Sequence, residues 1–459
     1  MEQAETIQFT MNDWLSNAGI VGLHNILANA DLSPRENENV LSMDTTDLDD
    51  FAHYYFKFFL DQYQSLSSYA KIMAYQEKFN HWQQTDYEDF SAEDYADFKD
   101  YIQNTLKYYA KANSFKKIYP LVINHLDVIQ ATKELPKLIN LTQKNNFKVK
   151  RPEIIELMKE ISQQLKPIYD YFTAPDAKKY FPVLSTLYTV VNNTWTNISY
   201  FNRSNKEPDF YIAYEKTFVD PVREYLTIDH SKDKYHCSNC NRPVTKTDLS
   251  YTFLNDMGFD TARKTSNVWD FNNDLTICPI CQLMYSCSSA GFNFIYGHGL
   301  FVNSNNNIDE LISINRKINQ EIWQSSDDKR QVTPYAAMIR TLTEQQLKDK
   351  EYVLDDVQVI EYENEHYRFN ILPRNIVRLF KKDAASFNRL RGANYSLNGT
   401  RHYVYEEVAD HVLNSQNLYL YVNQILKIYL SQPTAVFIQA EQVDALLKIN
   451  HDFLEGMKN

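Results

Sequence analysis

The chain has 459 residues, enough for two or three domains with cores of their own, so a bound metal would organise one module and is not required to hold up a minimal fold. Only nine glycines are present, far below the usual share of ~7%, and neither GxxxxGK[ST] nor GxGxxG occurs, which excludes phosphate-loop and dinucleotide chemistry. The formal charge is -12, but Asp31 to Asp100 alone holds 16 acidic and 5 basic residues, a balance of -11. The rest is near neutral and free to carry basic patches, although an acidic total by itself argues against nucleic acid.

With 33 Tyr and 26 Phe at mostly helical spacing in its first half, the chain reads as mainly α with minor β (α+β). The expected organisation is a large helical N-terminal domain over 1–229, an inserted zinc-knuckle β module over 230–299, a return of the first domain with a β-hairpin over 300–372, and a C-terminal helical bundle over 373–459. Met1 to Asn12 lacks the basic and apolar regions of a signal peptide, so a cytoplasmic protein is expected. In chain order, Asp13 to Leu27 predicts a short apolar helix and Asp47 to Phe79 a long aromatic one. Ser91-Ala-Glu-Asp94 opens the next, because a serine hydroxyl and nearby acids satisfy free amides at a helix start. Phe115 to Lys144, Pro152 to Phe172 and Asp176 to Asn192 follow as helices. Asp209 to Glu215 alternates like a strand. Leu275 to Ile308, the longest stretch without Asp, Glu, Lys or Arg, reads as buried strands and not a membrane span, with Gly299 to Asn303 as one of them. Ile308 to Trp323 and Pro334 to Lys350 predict helices, Val357 to Tyr362 and His366 to Leu372 a hairpin, and Pro373 to Leu390, Tyr403 to Leu430 and Thr434 to Phe453 a three-helix tail.

The strongest chemical signal is a pair of knuckles, Cys237-Ser-Asn-Cys240 and Cys278-Pro-Ile-Cys281, which use four of the five cysteines. Two CxxC pairs at this separation can set four thiolates tetrahedrally around one Zn²⁺ at about 2.3 Å each. Such a site has no open coordination position, so the zinc is structural. Disulfides are disfavoured in a reducing compartment, and a redox CxxC would stand alone before a helix. His236 and His298 flank the module and are expected to support the ligands from outside or to pack, with metal ligation the lesser alternative, and Cys287 packs as a small apolar side chain.

On the first tail helix, at 100° per residue, Arg374, Arg378, Lys381, Lys382 and Arg389 share one arc opposite Ile376, Leu379, Phe380, Phe387 and Leu390. With Arg391 and Arg401 this stretch holds seven basic residues against one acid, Asp383, where a solvated face ordinarily mixes signs. A nucleic-acid contact is expected there, ahead of a plain solvated face and of an acidic protein partner. Two asparagine-rich turns, around Asn202, Arg203, Asn205 and Lys206 and around Asn303 and Asn305, are weaker candidates for DNA contact and otherwise plain loops. Catalytic motifs are incomplete: the Asn272 to Cys278 stretch resembles half of an HNH nuclease, but no histidine lies between the knuckles, and His451-Asp452 stands alone on an amphipathic helix.

Trp14-Leu-Ser-Asn17-Ala-Gly19-Ile-Val-Gly22-Leu23, together with the two knuckles, resembles the CRISPR-associated CXXC-CXXC family, the large subunits of type I-B Cascade effector complexes. The resemblance implies a protein with no catalytic site of its own. It would recognise the protospacer-adjacent motif on double-stranded target DNA at the crRNA 5′ end, aid R-loop formation and recruit a separate helicase-nuclease. Its partners would be crRNA, the target duplex and displaced strand, and the other Cascade backbone subunits, with no membrane. The tail would take the place of a small-subunit-like bundle along the displaced strand. A zinc-framed HNH-like nuclease and a stand-alone zinc-ribbon nucleic-acid-binding protein are the competing readings.

Overall fold

The structure, a computed structural model, describes residues 5–141, 146–255, 276–295, 297–324, 337–338, 357–363, 366–397 and 400–457. It is mainly helical with small antiparallel sheets, as the composition and periodicity predict. The opening helix, Trp14–Asn29, starts where Asp13 accepts hydrogen bonds from the amides of Leu15 and Ser16 at 2.8 and 2.9 Å. Every residue from Leu15 to His24 is buried, so this helix runs through the middle of the molecule and not along its surface. A small sheet lies at its start, with Val40–Asp44 between Thr6–Thr10 and Arg35–Asn37, and the alternation in Thr6–Thr10 sends Ile7 and Phe9 into the core.

Several predicted elements divide at capping residues. The aromatic stretch forms two helices, Phe51–Tyr63 and Ser68–Gln84, because Ser67 turns extended and its hydroxyl accepts from the Ala70 amide at 3.1 Å. Ser91 and Asp94 close the reciprocal capping box expected of them. The helix predicted over 115–144 is broken into Asn113–Ile118 and Val128–Glu134, with Pro120 in the tight turn between them. Asn146–Thr173 and Pro175–Thr189 are helical. The strand expected at Asp209 to Glu215 is instead the helix Phe210–Tyr214: Asp209 caps it through the Tyr211 amide at 2.9 Å, and Phe210 and Tyr214, four apart, bury on one face. Between 275 and 308, strands were also over-predicted. Pro279–Ser286 and Ser288–Gly291 are helical, and only Asn293–Ile295 and His298–Asn303 are strands.

These two strands join the predicted hairpin, Gln358–Glu363 and His366–Ile371, in a four-stranded antiparallel sheet that keeps chain order, with His366–Ile371 at one edge. The sheet is a wall between two cores. Phe301, Ile360 and Tyr362 face the large N-terminal core, whereas Leu300, Val302, Val357 and Val359 face the C-terminal one. The helix predicted over 334–350 lies outside the described residues except for 337–338.

The tail has more pieces than three helices. It comprises Arg374–Lys382, Ala384–Arg389, Val404–Leu413, Tyr419–Ser431 and Ala440–Gly456, with a sheet in which Asn394–Leu397 pairs with both Thr400–Tyr403 and Val436–Phe437. Asp383 ends the first helix and begins the second; it is fully buried, and Lys448 of Ala440–Gly456 lies 2.9 Å from its carboxylate.

Candidate metal centre and the basic tail

The two knuckles converge. Cys237, Cys240, Cys278 and Cys281 place their sulfurs within 4.8 Å of one another, Cys240 Sγ and Cys278 Sγ are 3.6 Å apart, and all five cysteines are free thiols. Sulfurs about 2.3 Å from a tetrahedral ion sit about 3.8 Å from each other, so the quartet fits one metal ion. The first knuckle turns between the short strands Tyr235–His236 and Pro243–Val244, where the Cys237 amide donates to Arg242 O at 2.8 Å and the Asn241 amide to Cys237 O at 2.9 Å. Asn241 takes φ 59°, the left-handed conformation that asparagine tolerates in a turn. The second knuckle is the start of a helix: Cys278 is the N-cap of Pro279–Ser286, and its sulfur accepts from the Cys281 amide at 3.4 Å.

Electrostatics point the same way. Cys237 is held far below the ordinary thiol range by hydrogen bonds from Cys240, Cys278 and Cys281, while Cys278 and Cys281 are pushed far above it, chiefly by their hydrogen bonding to Cys237 and Cys240. Four sulfurs this close cannot all ionise unaided, and a bound cation is what lets them do so. Cys287 belongs to a different environment. Its fully buried thiol donates to Leu283 O at 3.3 Å, and burial pushes it up to about 12. His236 and His298 are exposed and outside the quartet.

The opening motif explains itself in the same place. A Cβ on Gly22 would lie 1.8 Å from the Cys287 carbonyl oxygen, and one on Gly291 would lie 2.1 Å from Ala18 O, so the opening helix meets the segment after the second knuckle backbone to backbone. Asn17 is a hub. Its amide donates to Asn303 Oδ1 at 2.8 Å and Asn305 Oδ1 at 3.2 Å, and its oxygen accepts from the Asn12 amide. Asn12 in turn donates to Asn239 Oδ1 at 3.1 Å, and Asn239 to Cys281 Sγ at 3.4 Å, which completes a chain of amides from the central sheet to the metal ligands. Asn17 lies within the opening motif, Asn239 within the first knuckle and Asn12 beside the helix start, but spacing along the sequence does not show that they bond to one another.

The asparagine turns are mostly self-satisfied. Asn303, expected on an exposed turn, is buried, and besides Asn17 it bonds Gln358 at 3.2 Å, so it cannot face a DNA groove. Asn305 is exposed but engaged by Asn17 and Asn303. Asn202 accepts from the Ser204 amide at 2.8 Å and Asn205 donates to Ser199 O at 2.9 Å, and Arg203 and Lys206 are the exposed cations of that turn.

In the tail the single basic arc is interrupted at Asp383, so Arg389 lies on a different helix from Arg378, Lys381 and Lys382. Arg378, Lys381, Lys382 and Arg389 are exposed, Arg391 is half-buried, and Arg401 is exposed on a strand facing Ser396; the Arg374 side chain lies outside the described residues. Lys382 donates to buried Asp452 at 2.9 Å, which holds that carboxylate below its ordinary value, while burial raises neighbouring Asp383. His451, Asp452 and Glu455 also lie within 4.8 Å of one another. Two ammonium groups beside Asp452, those of Lys382 and Lys448, make that a poor place for a cation.

A helical protein built around a four-thiol metal site, with a divided basic tail, is the class that this geometry defines. The sequence model of the CRISPR-associated CXXC-CXXC family (Cas_CXXC_CXXC) matches residues 230–293, which contain all four ligands. The match covers that module alone and supports the CRISPR-associated CXXC-CXXC resemblance there. No curated protein and no solved structure matches the chain. Among the described residues no helix is long and apolar enough to cross a membrane.

Proposed function

We propose that this chain is a non-catalytic, zinc-containing large subunit of a type I-B Cascade surveillance complex, which recognises the protospacer-adjacent motif on duplex DNA, aids R-loop formation and recruits the helicase-nuclease. The observation that carries this reading is the sulfur quartet inside the family-matched segment. Zinc is the metal favoured by four thiolates, and with all four coordination positions filled it holds the first knuckle against the Pro279–Ser286 helix and activates no water. The exposed cations of the tail support contact with phosphate, here assigned to target DNA and its displaced strand beside the crRNA and backbone subunits, in the cytoplasm.

The test is to purify the full-length chain with its CRISPR complex and crRNA. Elemental analysis should give one zinc per chain, and R-loop formation on target duplex should fail when this chain is left out and should depend on the motif beside the target. Metal-dependent cleavage of DNA by the chain alone, or R-loops formed equally well without it, overturns the proposal.

A further inference from the structure

The side chain of Asn239 joins the two knuckles. It stands in the first, between Cys237 and Cys240, yet its Nδ2 donates to the sulfur of Cys281 in the second at 3.4 Å and to Ser16 Oγ at 3.4 Å. Both N–H groups of the amide are thereby used. Ser16 is fully buried, and its own hydroxyl turns to Met284 Sδ at 3.7 Å, which leaves its oxygen to accept. An amide can be turned end for end, and its partners decide which end faces the sulfur. Here a backbone group decides. Asn12 Nδ2 donates to the backbone carbonyl of Asn239 at 3.4 Å, so the NH₂ end of Asn12 faces the knuckle, and the same group donates to Asn239 Oδ1 at 3.1 Å. The oxygen of Asn239 is held on that side, and its nitrogen is turned to Cys281. Asn12 is fixed in its turn by Asn17, which accepts from the Asn12 amide at 2.9 Å and donates to the Asn12 carbonyl at 3.4 Å.

We infer that Asn239 is a positioning residue of the metal centre: oriented through Asn12, it presents an N–H to the Cys281 sulfur and so sets how tightly the quartet holds its ion and how slowly that sulfur reacts. Four thiolates around one divalent cation leave an excess of negative charge, which a largely buried site must offset with donors. Cys278 receives such a donor from its own helix, the Cys281 amide at 3.4 Å. The side-chain donor to Cys281 comes from the other knuckle and is in place only when ribbon, opening helix and second knuckle are assembled. An N–H drawn to a thiolate takes up part of its charge, which favours the metal-bound quartet and makes the sulfur a poorer nucleophile. A carbonyl oxygen in the same place would repel the sulfur and do the reverse. The inference rests on the quartet binding a metal and is independent of the complex in which the chain works.

The experiment loads the full-length chain with Zn²⁺ and, separately, with Co²⁺. Asn239→Ala should weaken Zn²⁺ binding about 10- to 100-fold in competition with a chromophoric chelator, the usual cost of losing a group that orients a ligand. Asn239→Asp keeps the shape but turns an oxygen to the sulfur and should lose more; Asn12→Ala, which lets the amide turn, should lose less. In the Co²⁺ form of Asn239→Ala the sulfur-to-metal charge-transfer band should move to lower energy, and alkylation of the Zn²⁺ form should quicken at Cys281 and not at Cys278. Ser238→Ala is the control. Its hydroxyl lies one position away and bonds Thr276 O and the Tyr251 hydroxyl, so affinity, band and alkylation should remain those of wild type. Wild-type affinity with an unmoved band in Asn239→Ala overturns the inference. An equal loss in Ser238→Ala also overturns it, because the folding of the ribbon and not the N–H would then be the cause. A wild-type chain that binds neither ion overturns the metal centre itself and this inference with it, whereas failure of Asn239→Ala alone leaves that centre standing.

Discussion

The two knuckles contribute equal numbers of ligands and have unequal support. The first hangs on paired strands of two residues each, with Tyr235, His236 and Asn241 exposed. The second is the buried start of a helix whose following turn is locked against the opening helix through Gly22 and Gly291. A metal ion bound between them would therefore join a ribbon anchored by a few long-range hydrogen bonds to a half that helix packing already holds in place. Local folding energy drawn from such a metal would belong mainly to the first knuckle, whereas in small zinc modules the whole fold depends on it.

The largest expected effect comes from the packed side. Gly22→Ala should destabilise the full chain by about 3 kcal/mol or more, because a methyl group 1.8 Å from the Cys287 carbonyl forces the two backbones apart. Chemical denaturation measures this, and a loss below about 1 kcal/mol would mean that the metal and not the packing holds the second knuckle. Next, chelation or Cys240→Ser should abolish metal binding and speed amide exchange over 235–244, while 279–286 stays protected. Cys278→Ser should release metal equally and also loosen the start of Pro279–Ser286, since that sulfur caps the Cys281 amide. Identical exchange in the two variants would erase the asymmetry.

A smaller effect separates the cations of the tail. Arg378→Ala with Arg389→Ala should leave folding intact and flatten the log-log salt slope of DNA binding by the complex by up to ~0.9 per lost phosphate contact. Lys382→Ala should instead lower the melting temperature, because it strips buried Asp452 of its hydrogen bond. The smallest effect is a titration. Burial, reinforced by Asp309, pushes Glu36 up to about 7 beside His24, whose Nε2 lies 3.1 Å from it and whose own value burial lowers. A raised carboxyl favours the fold fully below its unfolded value near 4.5 and loses that contribution as pH rises through 7. Glu36→Gln should flatten the melting temperature between pH 5 and 8, and an unchanged profile would reject the shift.

Much of this was legible beforehand. The CxxC pairs give ligands by spacing alone, and Ser91 and Asp94, the 357–372 hairpin and the opening helix follow from capping residues and alternation. Propensity could not place the break at Asp383, which is made by a contact with Lys448, sixty-five positions later in the numbering. The alternation at 209–215 misled because i,i+4 aromatics satisfy a helix equally well once Asp209 caps it. Asn303 sat in what looked like a polar turn, and its burial depends on Asn17, a partner in a distant part of the chain.

The wall between the two cores has one more consequence. Because Phe301, Ile360 and Tyr362 line one core and Leu300, Val302 and Val359 the other, a slip of the 358–363 and 366–371 strands by a single position would exchange the linings of both cores at once. An ordinary one-sided sheet would expose one set of side chains to water after such an error; this one would misfit on both faces. Pairing errors during folding are thereby penalised twice, and insertions of one residue in these strands should be tolerated less well than anywhere in the surrounding loops.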